Sequence, residues 1–152
     1  MISIAKADVS DAFQIWKIQK SAFEGQAKIY NNYKLPPLIQ TLESLKDEFE
    51  EKVFLKAEID SKIVGSVRFT VDGNEIDIER LIVDPNFQNQ GVGTILMKRV
   101  EQIADKKVTF KLFTGIKSRR NIHLYEKLGY TIYTQSETPQ GIELLYMQKT
   151  SW

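Results

Sequence analysis

The residues best suited to chemistry lie in three short stretches. The first is "QNQGVGT", Gln88 to Thr94, where Gly91 and Gly93 lead into an apolar pattern of helical period. The first turn of a helix carries unpaired N–H groups at the positive end of its dipole. Glycines let the oxygens of an anion approach that backbone, so the loop can hold an anion although it contains no Lys or Arg. Two small residues also permit close packing of helix on sheet, and the spacing alone leaves both readings open. The second stretch, "NEIDIERLIV", sets Glu75, Asp77 and Glu79 on one side of a strand, with Ile76 and Ile78 on the other. Such carboxylates can attract an ammonium group and pass its proton to water, or can be the solvated start of a hairpin strand. The third, "NIHLYEKLGY", puts Asn121 and Tyr125 one helical turn apart on a common side. A tyrosine there is either a proton donor or one more core aromatic beside Ile122 and Leu128.

Several other chemistries are excluded. The chain has no cysteine, which removes disulfides, thiolate metal sites and a Cys nucleophile, and one histidine, His123, which cannot build a histidine cluster. No metal is expected, and His123 reads as a surface residue. The glycine loop is not a P-loop, since GxxxxGK[ST] is absent, and Leu96 stands where a Rossmann loop needs its third glycine. Lys plus Arg number 21 against 20 Asp plus Glu, so no overall field favours nucleic acid or an anionic membrane. No apolar run reaches membrane-spanning length, and "MISIAKADVSDAF" lacks the basic start and apolar run of a secretory signal. The expectation is a cytoplasmic protein. With 152 residues, 42% of them hydrophobic, the chain reads as one domain over residues 1–152 with a substantial core.

The elements that must position these residues follow from the hydrophobic periods. "MISIAKA" reads as a strand, and Asp8 can cap a helix running to about Phe23. "EGQAKIYNNYKLPPLIQ" reads as a loop, broken by Asn31-Asn32 and Pro36-Pro37, before an amphipathic helix in "TLESLKDEFEE". Three strands follow as a meander, turned at Asp60-Ser61 and Asp72-Gly73. The glycine loop opens a helix with Val92, Ile95, Leu96, Val100 and Ile103 on one face. "KVTFKLFT" is a strand, Ser118 can cap a helix stopped by Gly129, and two strands turned by Pro139 to Gly141 close the chain. The order is βααβββαβαββ, an α/β (α+β) mixed sheet with helices on both faces.

Two motifs in this order resemble a known family. Gln88-x-x-Gly91-x-Gly93 after "LIVDP" resembles the acyl-CoA pyrophosphate loop of the GCN5-related N-acetyltransferase (GNAT) family. Asn121 to Tyr130 resembles that family's Asn-x-x-x-x-Tyr-x-x-x-Gly-Phe/Tyr helix, and only the region from about Gly25 to Gln40 has no shared pattern. The resemblance implies acetyl-CoA as cosubstrate and no metal. It implies a bulge in the strand before the loop, with the Leu81 N–H facing the thioester carbonyl and the Val83 backbone pairing with the pantetheine arm. Gln88, Asn89, Gln90, Gly91, Val92, Gly93 and Thr94 would line the pyrophosphate; Gln90 departs from the family, where Arg or Lys is frequent. Asn121 would contact the cofactor arm and Tyr125 the thioester sulfur. A thiol of pKa about 8.5 leaves as thiolate and Tyr titrates near ~10, so a positioned Tyr can protonate the leaving group. Glu79, and after it Asp77, are the candidates for receiving the amine's proton. The implied function is acetyl transfer to a primary amine of a small molecule by direct attack, without an acyl-enzyme. A non-catalytic acyl-CoA sensor or interaction module is the alternative. The acceptor groove would come from Phe23 to Gln40, with Tyr30, Tyr33 and Pro36-Pro37 as candidate walls, and from Gln135 to Gly141. Dimers are common in the family, which makes a homodimer the oligomeric expectation.

Overall fold

A computed structural model describes residues 1–151. Strand β1 (Ser3–Lys6) leads into a 3-10 turn at Val9–Asp11 and then α1 (Ala12–Tyr30), α2 (Pro36–Ile39) and α3 (Leu42–Glu48). The meander β2 (Val53–Ile59), β3 (Lys62–Asp72) and β4 (Glu75–Val83) is followed by α4 (Val92–Gln102), β5 (Thr109–Gly115), α5 (Arg119–Lys127), β6 (Thr131–Glu137) and β7 (Glu143–Thr150). The seven strands form one sheet in the order β1-β2-β3-β4-β5-β7-β6, in which only β4 and β5 run parallel. The expected order gains one α-helix, the short α2, and two 3-10 turns, at Val9–Asp11 and Pro85–Phe87.

The sheet is covered on both faces. Leu96, Met97 and Val100 of α4 and Tyr125 of α5 bury against Val67, Phe69, Ile78, Phe110 and Met147. On the other face Ile15 and Ile18 of α1 and Leu45 of α3 cover Phe54, Ile63 and Ile82. The face expected for α4 is rotated: Ile95 and Ile103 are 37% and 45% exposed, while Met97 is fully buried. The two tight turns form as their residues favour. Asp60 and Ser61 both take positive φ, and Gly73 (φ 61°) closes the next hairpin.

The largest departure from the sequence reading is α1. It does not stop near Phe23 but continues to Tyr30 and ends at Asn31 in the left-handed conformation (φ 49°). Gly25, taken with its flanks as turn-like, sits inside this helix. A glycine costs a helix interior only about 1 kcal/mol, and burying Ala27 and joining Tyr30 to the connection between β5 and α5 outweighs it. Asp8 accepts from Ser10 N–H and Asp11 returns a bond to Asp8 N–H, so the cap acts through the 3-10 turn.

A second irregularity opens the sheet. β4 and β5 pair only from Glu75–Asp77 to Thr109–Lys111. At Arg80 (φ 54°) β4 bulges, and its register with β3 slips between Ser66 and Arg68. Strand parity records the change: Ile76 and Ile78 belong to the α4 layer, but Ile82 joins the α1 layer. Beyond Asp77 the β4 backbone has no ladder partner on the β5 side.

Candidate active site

The opening between β4 and β5 is the floor of two connected cavities. The larger, about 870 Å³, lies between the second half of α1, the end of β4, the loop before α4, and α5. Gln88, Asn89, Gly91, Val92, Gly93 and Thr94 line it, together with Leu81, Val83 and Asn121. Gln90 is exposed and does not. Gly91 takes φ 81° as the N-cap of α4, a conformation that favours glycine, and leaves the helix start free of a side-chain cap. A Cβ on Gly93 would lie in ordinary van der Waals contact with Leu124 at 3.4 Å and Leu81 at 3.7 Å, so packing alone does not demand glycine there.

The positive charge absent from the loop is supplied from across the cavity. Lys117, Arg119, Arg120 and Lys127 line the same space, and the Arg120 guanidinium donates to Gln88 Oε1 at 2.5 Å. Sequence reasoning passed over these cations because they lie some thirty residues beyond the loop. The signal was the basic run "KSRR" at the start of the Asn121–Tyr130 motif. Lys98 and Arg99, read as a solvated helix face, are exposed. His123 is also exposed, but it stands at the rim of the larger cavity.

The smaller cavity, about 200 Å³, is mostly apolar and shares Phe23, Gln26, Leu81, Ser118 and Asn121 with the larger. Tyr125 lines it, buried to 5% exposure, and burial raises its pKa well above the ordinary tyrosine value, so it keeps its proton at any physiological pH. Glu79 lines it too, held by Lys52 Nζ at 2.5 Å. Asp77 is exposed, stands opposite Lys111 of β5, and lines neither cavity. Of the aromatic and proline residues expected to wall this space, Tyr30, Pro36 and Pro37 do so, whereas Tyr33 is 59% exposed. Ser118 does not cap α5 with its side chain; it donates to Gln26 Oε1 at 2.8 Å and bonds the Tyr30 hydroxyl at 3.1 Å. Tyr30 also accepts from Lys117 N–H at 2.9 Å, which ties α1 to the start of α5.

Behind the cavity lies a charged network that sequence reasoning did not anticipate. Arg68, 1% exposed, donates to Glu48 at 2.8 Å and to Gln19 at 2.5 Å and stacks on Phe54 with its guanidinium carbon 4.6 Å from the ring centre. Gln19 in turn donates to the Pro37 carbonyl at 2.8 Å, fixing α2 against α1. Lys52 bridges Glu48 and Glu79. Burial opposes the charge of Glu48, but hydrogen bonding from Lys52 and the nearby Arg68 prevail and hold its pKa down at about 2. Nothing in a single strand's alternation marks Arg68 as buried; only the paired Glu48, twenty residues earlier on another element, explains it.

A mixed sheet split at its one parallel pair, with a glycine-led helix and a basic helix facing the split, is the acyl-CoA N-acyltransferase fold. The chain belongs to the acetyltransferase (GNAT) family, whose family model matches residues 13–130. An uncharacterised N-acetyltransferase of Methanocaldococcus jannaschii is 25% identical over an alignment of 137 residues that covers 84% of this chain; the chain spans 58% of the length of that relative. Among solved structures, the ribosomal-protein-S18-alanine N-acetyltransferase of Escherichia coli superposes with a TM-score of 0.81 at 20% identity, over 99% of this chain and 94% of that one. The PaiA N-acetyltransferase of Thermoplasma acidophilum, solved with coenzyme A, gives 0.80 at 17% identity over 99% of both chains. These two likenesses establish the fold. Among the described residues no helix is long and apolar enough to cross a membrane, and no group of acidic or histidine side chains is placed to hold a metal ion.

Proposed function

We propose that the protein transfers the acetyl group of acetyl-CoA to the amine of a small molecule by direct attack. The observation that carries this reading is the meeting of the two cavities at Leu81 and Asn121, with anion-binding groups on one side and Tyr125 with Glu79 on the other. The residues present fit acetyl-CoA. The open N-terminus of α4 and the cations of α5 suit its phosphates, and the unpaired edge of β4 suits an amide-bearing arm. Leu81 and Val83 supply that edge, Gln88 to Thr94 the phosphate loop, and Asn121 a side-chain contact to the arm.

The transfer forms a bond from the amine nitrogen to the acetyl carbon and breaks the carbon–sulfur bond. Tyr125, which burial keeps protonated, donates a hydrogen bond to the sulfur as it departs with the bonding electrons. The amine's proton leaves through water towards Glu79. Glu79 lines the cavity and Asp77 does not, which favours Glu79 as the proton acceptor in this reading.

The test mixes protein, acetyl-CoA and a panel of small amines, and reads CoA release together with the melting temperature. Release should require both substrates, and acetyl-CoA at about a hundred times its Kd should add ~2.7 kcal/mol of stability. Tyr125→Phe should lower kcat by roughly 10²-fold or more with acetyl-CoA binding retained. Unchanged turnover removes the donor role. Binding without transfer to any amine leaves the acyl-CoA sensor as the better reading, and no thermal shift at millimolar acetyl-CoA refutes both.

A further inference from the structure

The charges behind the smaller cavity do not balance. Arg68, Lys52 and Arg80 face two carboxylates, Glu48 and Glu79, and the ion pairs use only Arg68 and Lys52. Arg80 makes no hydrogen bond or ion pair among the described residues, and its Nη1 is buried without a partner. Glu48 and Glu79 are near enough to favour its charge, yet burial is the stronger influence and draws its pKa below the ordinary arginine value. Arg80 as a whole is partly buried; a guanidinium carries five donors in a fixed fork and stays charged, so leaving one unpaired where it is partly withdrawn from water is costly unless a ligand completes it. It sits at the positive-φ bulge, and it lines the cavity beside Glu79 and Leu81. Most of the rest of the lining is apolar or aromatic, including Phe23, Leu35, Phe113 and Leu144, with Gln26, Thr114, Ser118, Asn121 and Thr138 as neutral polar members.

We infer that the acceptor is a small amino acid-like molecule, whose carboxylate pairs with Arg80 while an apolar side chain fills the cavity and its amine meets the thioester. The geometry points to a carboxylate because the excess charge is positive and planar donors match two oxygens. Glu79 is already neutralised by Lys52, which makes it a poor sole attractor for a simple ammonium compound. A cavity of about 200 Å³ suits a side chain of leucine or phenylalanine size, smaller than the ~300–1,000 Å³ usual for drug-sized ligands. The identity of the molecule as an acetyl acceptor rests on the function proposed above; its carboxylate recognition does not.

Two measurements separate these. In the first, 3-phenylpropanoate, which has the carboxylate and no amine, is titrated into the full chain by calorimetry, with phenethylamine as the converse probe. Binding of 3-phenylpropanoate, weakened at least ~10-fold in Arg80→Gln and partly restored in Arg80→Lys, is expected from a charged pair. No binding to the unaltered protein, or equal binding to Arg80→Gln with its fold intact by circular dichroism, overturns the inference whatever the enzyme does. In the second, kcat/KM is compared for phenylalanine and leucine, their decarboxylated amines, and phenylalaninamide. The free amino acids should exceed the other compounds by about 10-fold or more, and Arg80→Gln should collapse that ratio. Phenylalaninamide turned over as well as phenylalanine would point to a peptide N-terminus and refute the carboxylate pairing, while leaving acetyl transfer intact.

Discussion

Glu48 is where the charge of a buried arginine is answered. Removing its carboxylate leaves Arg68, at 1% exposure, with only the neutral Gln19 as partner. Breaking a buried pair at one partner costs about 3–5 kcal/mol, so Glu48→Gln should lower unfolding free energy by roughly 3 kcal/mol in urea at neutral pH. The pH dependence has a definite sign. The folded pKa of Glu48 is held down at about 2 against an ordinary 4.5, so its stabilisation is complete above 4.5 and disappears as pH falls through 2. Urea midpoints of the unaltered protein should therefore drop across that window, and those of Glu48→Gln should drop less; parallel profiles would disprove the linkage. The same residues show the limit of reading a sequence one stretch at a time. Gly91, Gly93, Asn121 and Tyr125 were legible because their spacing is local. Arg68 and Lys52 were not, since each is defined by a partner on another element, and Arg80 was not, since its want of a partner emerges only from the fold.

At the scale of elements, α5 has two tasks. Its inward side carries Tyr125 to the smaller cavity, and its first turn turns Arg119 and Arg120 to the larger. We predict that Arg119→Ala/Arg120→Ala raises the KM for acetyl-CoA about 10-fold at low ionic strength and flattens its dependence on salt, because screened charge–charge attraction is what has been removed. The turnover number should change little, as neither arginine lines the cavity of Tyr125. Lys98→Ala/Arg99→Ala, on the exposed side of α4, is the control and should leave both quantities as they were. Identical salt profiles for the two doubles would remove α5 as the source of the attraction. Most elements were readable because their period or turn residues were unambiguous, as at Asp60-Ser61 and Gly73. The second half of α1 was not: Gly25, Asn31-Asn32 and Pro36-Pro37 are local breakers, and only tertiary packing of Ala27 and the bonds of Tyr30 carry the helix on past the first of them.

The molecule as a whole is a sheet divided in two, joined across the division by three residue pairs of β4 and β5 and clamped above it by α1. The clamp has one close fit. Tyr30 reaches from the end of α1 to Lys117 and Ser118, and its hydroxyl occupies the space over Gly115, where an added Cβ would lie 1.9 Å from the oxygen. No rotation of a methyl group relieves such an overlap, so Gly115→Ala must push Tyr30 aside and release α1 from the half-sheet of β5, β6 and β7. Overpacking costs typically ~1–3 kcal/mol, and a loss of that size is expected. The opening should be local. Amide exchange should quicken in the last turn of α1, residues 27–31, and around Ser118, while β2 and β3, paired along their length on the other half, keep their protection. A double-mutant cycle isolates the cause. Tyr30→Ala vacates the space that the new methyl needs, so Gly115→Ala should cost less in that background than alone, giving a coupling of about 0.5–3 kcal/mol. Strict additivity would mean that Gly115 matters for its backbone and not for its neighbour, and that the two halves are held together by something other than this contact.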